Sequence, residues 1–275
     1  MDNKLVGSFN LSESDLNIPS DEEFLRFKKK IASIINLDLT NYKNKQMERR
    51  INSLMRKNGI DKLDKYADIL IKEPNFLEEF VNMLTINVSE FFRNTNKFEE
   101  LLTTYLPELL KKKNSIKIWS AGCSIGAEIY SISMMLDKIG KLNNAELVAS
   151  DFDQKIIEKA RSGLYNQVEI GTVPNEYKKY FTQLDENKYQ IDKKLVAKIR
   201  FQKQDLLNSK FEKGFDLILC RNVVIYFTDE AKDRLYKNFY ESLNEGGILF
   251  IGSTERIIGH TEMGYKLRTS FFYQK

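Results

Sequence analysis

The sequence is poor in the residues from which metal centres and disulfide frameworks are built. It contains two cysteines, Cys123 and Cys220, and one histidine, His260. A structural zinc site uses about four sulfur or imidazole ligands, so this count argues against a dedicated zinc centre, and we expect no metal. Both thiols lie at the ends of predicted buried strands or loops, which indicates free thiols in a reducing compartment. We therefore predict a cytoplasmic protein.

Long apolar runs and a large excess of one charge are also missing. No segment approaches the ~20 apolar residues of a membrane span, and the polar N-terminal stretch lacks the apolar core of a signal peptide. The formal net charge of +4 is too small to predict strong nonspecific binding to nucleic acid. The chain has 275 residues, of which 42% are hydrophobic and 30% charged, which is typical of a soluble globular protein. We expect a monomer that enters no membrane.

The most informative stretch is an apolar strand pattern that leads into a loop of small residues. Residues 116–120 are followed by Gly-Cys-Ser-Ile-Gly at 122–126 and then by apolar residues at helical spacing. Glycine lets the backbone approach a ligand closely, and the N–H groups at a helix start favour negative groups. The stretch therefore predicts a site for a nucleotide cofactor.

The loop by itself fits two classes of enzyme. Its Gly-x-Ser-x-Gly spacing matches both the nucleophile elbow of α/β-hydrolases and the glycine loop of S-adenosylmethionine (SAM) methyltransferases. Asp151 follows a second apolar strand about 25 residues beyond the loop, near the ~20-residue spacing at which an acid meets ribose hydroxyls. A helix N-cap is the alternative role for Asp151. Its combination with the loop favours ribose binding.

The hydrolase interpretation needs a catalytic triad. Ser124, then Asp216 or Asp229, then His260 have the chain order that such enzymes require. No His-Gly-Gly-Gly segment for an oxyanion hole precedes the loop, and the interpretation depends on the single histidine. A hydrolase therefore stands as the alternative to a nucleotide-dependent enzyme.

The N-terminal third predicts a leader and a small helical domain. Residues 1–19 lack periodicity and are predicted to be a flexible leader. Ser20 and Glu23 form a capping box at the start of a helix over 21–35. Helical spacing predicts further helices at about 39–57, 63–72 and 75–84.

The second of these helices has an apolar stripe and a basic face. The stripe consists of Met47, Ile51, Leu54 and Met55, and the basic face consists of Lys45, Arg49 and Arg56. A solvated surface is one interpretation of such a face. Because this helix is clearly positive while the rest of the chain is nearly balanced, we favour a docking surface for an acidic partner.

The remaining residues alternate between strand and helix patterns, which predicts a mostly parallel sheet. A helix is expected at about 94–112, and strands at about 116–120, 146–150, 199–203, 215–220, 248–251 and 265–273. A hairpin at about 180–191, with a third strand at about 195–201, predicts a small antiparallel insertion. Ligands bind beyond the carboxyl ends of parallel strands. There the sequence places Gly122, Glu128, Asp151, Asp205 and Asn222.

Three segments together resemble the CheR family of chemotaxis-receptor methyltransferases. They are residues 87–93 (Asn-Val-Ser-Glu-Phe-Phe-Arg), 119–131 (Trp-Ser-Ala-Gly-Cys-Ser-Ile-Gly-Ala-Glu-Ile-Tyr-Ser) and 220–227 (Cys-Arg-Asn-Val-Val-Ile-Tyr-Phe). The resemblance covers nearly the whole chain from about residue 21. It implies an α/β protein in which an N-terminal all-α domain precedes a Rossmann-like SAM-dependent methyltransferase domain, with a mostly parallel sheet and a small antiparallel β insertion.

The resemblance also implies domain boundaries and an activity. We expect a receptor-docking helical domain at 20–84, a linker lining the cofactor pocket at 85–93, and a methyltransferase domain at 94–275 with a β subdomain at about 178–201. The activity would be methyl transfer from SAM to glutamate side chains of receptor signalling domains, for chemotactic adaptation, with S-adenosylhomocysteine (SAH) as product. A non-catalytic SAM-binding module that docks on receptors is a further alternative.

Cofactor-binding residues follow from the resemblance position by position. The expected set is Asn87, Ser89, Arg93, Gly122, Glu128, Asp151, Asp205, Leu206, Arg221 and Asn222. Glu128 would hold the amino group of SAM and Asp151 the ribose hydroxyls. Asp205 and Leu206 would border the adenine, and Asn222 would line the methionine end. The family usually has Glu-Glu-Pro at 127–129, where this chain keeps only Glu128 as an acid, and it often has Asn where Asp205 stands.

Catalytic and docking residues follow in the same way. Arg93 is expected to orient the substrate glutamate through charge-assisted hydrogen bonds, and Tyr226 to lie near the transferring methyl group. The basic face on the second helix would dock on the acidic methylation region of the receptor. The antiparallel insertion resembles a subdomain that captures a receptor C-terminal peptide by strand addition, and its short turn at 185–187 argues against such capture here.

Overall fold

The computed structural model describes residues 20–35, 37–85 and 89–275. These residues form two compact units. The smaller combines the described residues up to Thr40 with Met47–Phe80, and the larger combines Asn41–Gln46 with the described residues from Val81 to Lys275. The predicted leader at 1–19 and the predicted site residue Asn87 lie outside the described residues. The predicted domain boundaries stay a prediction.

The N-terminal part of the described chain is helical, as the periodicity predicts. Its α-helices are α1 (Asp21–Ile35), α2 (Asn44–Lys57), α3 (Leu63–Lys72) and α4 (Pro74–Thr85). The capping box is confirmed, because Ser20 N donates to Glu23 Oε2 at 2.9 Å and Glu23 N donates to Ser20 Oγ at 3.2 Å. The core of the smaller unit is aromatic: Phe27 stacks on Tyr66 with ring centroids 6.1 Å apart, and Phe80 meets Phe27 edge-on at 5.9 Å.

The predicted helix at 39–57 begins later than expected. Leu39–Asn41 form a single 3₁₀ turn, and α2 begins at Asn44. Between them, Tyr42 pairs with Phe227 as an antiparallel bridge. A residue in an extended bridge cannot be helical, so a partner distant in sequence overrides the local spacing. Within α2, Met47, Ile51 and Met55 are buried, Leu54 is half-buried, and Lys45, Arg49 and Arg56 are exposed.

The larger unit alternates between helices and strands. Its helices are α5 (Thr95–Glu100), α6 (Leu106–Lys112), α7 (Ala127–Lys138), α8 (Gln154–Ser162), α9 (Lys193–Ala197) and α10 (Asp229–Ser242). Its strands are β1 (Ile116–Ala121), β2 (Ala145–Asp151), β3 (Leu164–Tyr165), β4 (Phe181–Asp185), β5 (Lys188–Ile191), β6 (Ile199–Lys203), β7 (Phe215–Cys220), β8 (Leu243–Ile251), β9 (Lys266–Thr269) and β10 (Phe272–Gln274).

One mixed sheet organises this unit, with strand order β6-β2-β1-β7-β8-β10-β9. The five strands from β6 to β8 run parallel, and β10 pairs antiparallel with both β8 and β9. From β1 the chain moves outward to β2 and β6, and then returns to the other side of β1 as β7 and β8. Ligands bind beyond the carboxyl ends of the strands at such a reversal. The topology therefore predicts that a ligand binds at the edge of the sheet where β1 and β7 end.

The antiparallel insertion is confirmed, but its third strand was predicted in the wrong place. The small sheet has the order β3-β5-β4. Residues 193–197 form α9 instead, because the Asp192 side chain accepts the Lys194 N–H at 2.9 Å and caps a helix. The following strand, β6, pairs in parallel with β2 and belongs to the main sheet.

Two other predicted elements are interrupted. The helix predicted at 94–112 contains a π turn at Leu101–Tyr105 before α6, near Pro107, which lacks a backbone N–H donor. The last strand, predicted at 265–273, is a hairpin of β9 and β10 that turns at Phe271, with a φ of 79°. None of the described helices is both long and apolar enough to cross a membrane.

Candidate functional site

Two loops meet at the carboxyl edge of the sheet. We call them the glycine loop (residues 122–126), which follows β1, and the β7 loop (residues 221–226), which follows β7. A Cβ placed on Gly122 would lie only 2.6 Å from Val223 Cγ2, and Gly122 has a φ of 77°. Glycine is therefore required at this position both for its backbone conformation and for the close approach of the β7 loop.

Each loop also holds a non-glycine residue in the left-handed region. Ser124 has a φ of 48° and Asn222 a φ of 60°, conformations that persist only where the surroundings fix them. For the β7 loop the constraint is Glu255, whose carboxylate accepts the N–H of Val224 at 3.2 Å and that of Gly252 at 2.6 Å. Burial raises the pKa of Glu255, and these backbone donors oppose that rise.

Asp151 links the glycine loop to the start of α8. Its Oδ2 accepts the Ser124 N–H at 2.8 Å and its Oδ1 accepts the Asp153 N–H at 3.1 Å. The helix N-cap is Asp153, whose side chain accepts the Lys155 N–H at 2.9 Å, so the N-cap alternative for Asp151 is wrong. Burial raises the pKa of Asp151, and its backbone donors counteract the rise. The carboxylate is thus fixed in position at the ligand-binding edge.

Arg221 and Glu128 form an ion pair inside the protein. Their side chains are 3% and 14% exposed, and Arg221 Nη1 lies 3.4 Å from Glu128 Oε2. Ser120 Oγ donates to the other carboxylate oxygen at 2.9 Å. The guanidinium also lies over the rings of Phe250, at 4.5 Å, and Phe98, at 5.3 Å. Burial raises the pKa of Glu128 and lowers that of Arg221, while each charge favours the ionised form of the other.

Arg221 also reaches the turn that carries Arg93. Its Nη2 donates to the Arg93 carbonyl at 2.9 Å and to Asn94 Oδ1 at 2.7 Å. The turn is further held by Ser131, whose Oγ accepts the Phe92 N–H at 3.0 Å. The Arg93 side chain is half-buried, and its charge lowers the pKa of Glu128. Among the described residues the Arg93 guanidinium has no hydrogen-bond or ion-pair partner.

Two buried polar atoms at this edge lack a hydrogen-bond partner within the described residues. They are the donor Arg221 Nε and the acceptor Asn222 Oδ1. Buried polar groups are almost always paired, so an unpaired donor and acceptor on adjacent residues suit a ligand that can accept from one and donate to the other. Tyr226 is half-buried at the end of the same loop, in the 3₁₀ turn Val224–Tyr226.

The other predicted residues lie around this centre. Asp205 follows β6, and its carboxylate accepts the Leu207 N–H and the Asn208 side-chain N–H, both at 2.8 Å. Leu206 is buried in the hydrophobic cluster on one face of the sheet, and Ser89 is half-buried in the linker. No described cluster of His, Cys, Asp and Glu side chains could hold a metal ion.

The hydrolase triad that uses Asp216 is not assembled. Asp216 lies near the start of β7, where it accepts from Lys113 Nζ at 2.6 Å and from the Lys117 N–H at 2.9 Å. Ser124 follows the far end of the parallel strand β1, roughly 13 Å away along a strand. Asp229 is exposed and pairs with Lys232 at 2.7 Å. The predicted order of residues is present in the sequence, but the sheet separates the nucleophile from the buried acid.

Sequence reasoning missed several residues that shape this site. Ser131 and Asn94 hold the Arg93 turn, Ser120 supports Glu128, and Glu255 fixes the β7 loop. The contacts of Ser131 and Asn94 join segments distant in sequence and have no local signal, and Ser120, eight residues before Glu128, has none either. Only Glu255 had one, because the polar Gly-Ser-Thr-Glu at 252–255 directly follows the buried strand β8.

Comparison with known proteins finds two family models that match successive parts of the chain. Residues 22–85 match the family model described as the all-alpha domain of CheR methyltransferases, and residues 87–272 match the model of the SAM-binding domain of CheR methyltransferases. A chemotaxis protein methyltransferase of Listeria monocytogenes is 38% identical over 256 residues, which cover 93% of this chain and 98% of that protein. Another, of Borreliella burgdorferi, is 32% identical over 277 residues, which cover 96% of each chain.

The buried ion pair gives a prediction about stability. We expect Arg221→Met to lower the free energy of unfolding by about 3 to 5 kcal/mol, because Glu128 would remain buried without its counter-charge. The matched control is Arg256→Met, at an exposed arginine, where a change within about 0.5 kcal/mol is expected. Urea unfolding followed by circular dichroism measures both. An Arg221→Met protein as stable as the control would contradict this account of the pair.

Proposed function

Because the chain belongs to the CheR methyltransferase family, we propose that it transfers the methyl group of SAM to glutamate side chains on the cytoplasmic signalling domain of chemoreceptors. Family membership makes it a SAM-dependent methyltransferase. The glutamate acceptor, the receptor partner and the cytoplasmic location are the proposal. The products would be glutamate methyl esters and SAH, and the modification would serve chemotactic adaptation.

The observation that carries the proposal is the unpaired donor and acceptor beside Glu128. The methionine end of SAM bears a carboxylate, which could accept from Arg221 Nε–H. It also bears an ammonium group, which could donate to Asn222 Oδ1 and face the Glu128 carboxylate. An amino-acid zwitterion therefore complements the three groups in both hydrogen bonding and charge.

The remaining cofactor contacts are assigned by position. Asp151 would accept from the ribose hydroxyls, since its carboxylate is already oriented by two backbone donors. Asp205 and Leu206 would border the adenine. Gly122 would keep the glycine loop close to the β7 loop. Ser89 and Asn87, both in the linker, would line the cofactor pocket.

Methyl transfer from SAM to a carboxylate mainly requires that the protein position the two reacting groups. When bound, SAM supplies an electrophilic methyl group on a sulfonium, and its leaving group is a neutral thioether. The acceptor carboxylate is ionised at neutral pH, so we propose neither a general base nor a metal in the step. The Arg93 guanidinium has no hydrogen-bond or ion-pair partner among the described residues. It would orient the substrate carboxylate, and Tyr226 would align the reacting groups.

The test of the function is transfer of labelled methyl from SAM to a purified receptor cytoplasmic domain. We expect base-labile label on the receptor and its loss from a receptor in which the acceptor glutamates are replaced by alanine. Label that survives base would indicate a different acceptor. SAH binding without any label on the receptor would favour the non-catalytic docking module.

A substitution at Arg93 tests its role. We expect Arg93→Met to lower kcat for receptor methylation about 10- to 100-fold, the cost of a lost charge-assisted hydrogen bond, with a much smaller loss of SAH affinity. Arg256→Met is again the control and should keep the kcat of the parent. Calorimetric SAH binding and the labelled-methyl assay separate the two effects. Unchanged kcat in a folded Arg93→Met protein would remove Arg93 from the mechanism.

The buried carboxylates predict how cofactor binding depends on pH. Burial raises the pKa of Asp151 above its ordinary 3.8 and that of Glu128 above its ordinary 4.5. Both must be ionised to bind, so SAH affinity should be full above the raised values and decline as the pH falls through them. Calorimetry from about pH 8 to about pH 5 measures this decline. Asp151→Asn should bind more weakly and show a shallower decline, and a parent affinity for SAH that stays constant down to about pH 5 would contradict the prediction.

The basic face on α2 is the proposed receptor contact. Lys45, Arg49 and Arg56 are exposed, and an acidic helical region of the receptor would complement their charge. Contacts of this kind act mainly on association and are weakened by salt. The face would therefore influence KM for the receptor and have little effect on SAH affinity.

Charge reversal tests the docking face. We expect replacement of Lys45, Arg49 and Arg56 by glutamate to raise KM for the receptor domain by about tenfold or more at low salt, with a smaller effect at high salt. The matched control reverses three exposed lysines on or beside α3, namely Lys62, Lys65 and Lys72. An equal rise in KM for both triple variants would show that only overall charge matters.

A further inference from the structure

The short segment that precedes α2, residues 41–43, packs on the end of the β7 loop. The Lys43 N–H donates to the Tyr226 carbonyl at 2.9 Å, and the Thr228 N–H donates to the Asn41 carbonyl at 2.8 Å. These residues all belong to the larger compact unit. The segment is therefore held by backbone hydrogen bonds against the loop that carries the proposed methionine-end and catalytic residues.

This pairing fixes the side chain of Tyr42. The two bonds flank Tyr42 and Phe227, which thus face each other as a non-hydrogen-bonded antiparallel pair, the type in which side chains lie closest. Their rings meet edge to face, with centroids 5.1 Å apart and planes at 89°. Arg234 adds a third bond to the segment, from Nη2 to Asn41 Oδ1 at 2.6 Å.

The surroundings of Tyr42 are those of the adenosine end of the proposed pocket. The ring packs against the hydrophobic cluster that includes Leu206 and Phe227. Burial raises the pKa of the Tyr42 hydroxyl above its usual range, and the carboxylates of Asp205 and Asp151 raise it further. These are the two acids assigned to adenine and ribose. The hydroxyl is consequently a neutral group in an otherwise acidic corner.

We propose that Tyr42 is a cofactor-binding residue whose ring forms part of the wall around the adenosine of SAM. Aromatic side chains stack on nucleic-acid bases of every kind, because each base has a π face. The inference rests on the proposed function and adds a residue that lies outside the matched SAM-binding range, 87–272. It gives the segment before α2 a part in cofactor binding.

The test compares two ligands that share adenosine. Calorimetry measures the Kd of SAH and of adenosine for the parent, for Tyr42→Leu and for Tyr240→Leu, a half-buried tyrosine on α10 that packs on Tyr265. We expect Tyr42→Leu to weaken both ligands by about tenfold or more, as loss of an aromatic contact to a base does. Tyr240→Leu should keep both affinities within about twofold.

Three outcomes would overturn the proposal. A folded Tyr42→Leu protein that binds SAH as the parent does removes Tyr42 from the pocket. Loss of SAH affinity with adenosine affinity unchanged places the residue at the methionine end instead. A parent that binds neither ligand overturns the proposed function together with this inference, whereas the first two outcomes leave that function standing.

A second measurement covers the case in which Tyr42→Leu does not fold. The parent is labelled with 3-fluorotyrosine, and the Tyr42 resonance is identified as the one missing from the spectrum of Tyr42→Phe. We expect this resonance to shift when adenosine is added. A resonance that is unmoved at saturating adenosine would show that the ring does not line the adenosine site.

Discussion

A guanidinium enclosed in a protein interior needs acceptors, and the contacts of the two terminal nitrogens of Arg221 follow from that requirement. Its ion pair with Glu128, its bonds to the Arg93 carbonyl and Asn94, and its position over two aromatic rings join the end of β7, the start of α7 and the linker turn. Breaking such a pair on one side leaves an uncompensated charge. The three segments are therefore held in register by one side chain, and the proposed site is built on their common edge.

Carboxylates perform a second structural task at this edge. Asp151 accepts N–H groups from the glycine loop and from the start of α8, and Glu255 accepts N–H groups that hold the β7 loop. Each thereby maintains a loop whose backbone includes a left-handed residue, Ser124 or Asn222. The contacts that hold these two loops come from the protein itself. Preorganisation of this kind lowers the entropy that binding must overcome.

The sequence predicted most of the fold because the relevant signals are local. The capping box at Ser20 and the apolar spacing of α1 and α3 gave these helices with the observed bounds. One error occurred where a distant partner decides, because Tyr42 is extended through its pairing with Phe227. The other was a local signal that was overlooked: residues 193–197 are helical because Asp192, directly before them, caps the helix. At the site, the expected residues after β1, β2 and β7 share one edge. Their supports, such as Ser131 and Glu255, depend on contacts that only the folded chain creates.

The contact between Gly122 and Val223 has a consequence for how this protein can change over evolutionary time. A side chain at position 122 would collide with a branched one at 223, since the gap leaves no room for a Cβ. Even alanine at 122 would need a smaller residue at 223 and would still adopt an unfavourable backbone conformation. The two positions therefore constrain each other across about a hundred residues of sequence. A substitution of Gly122 would therefore require an earlier change in the β7 loop, at position 223.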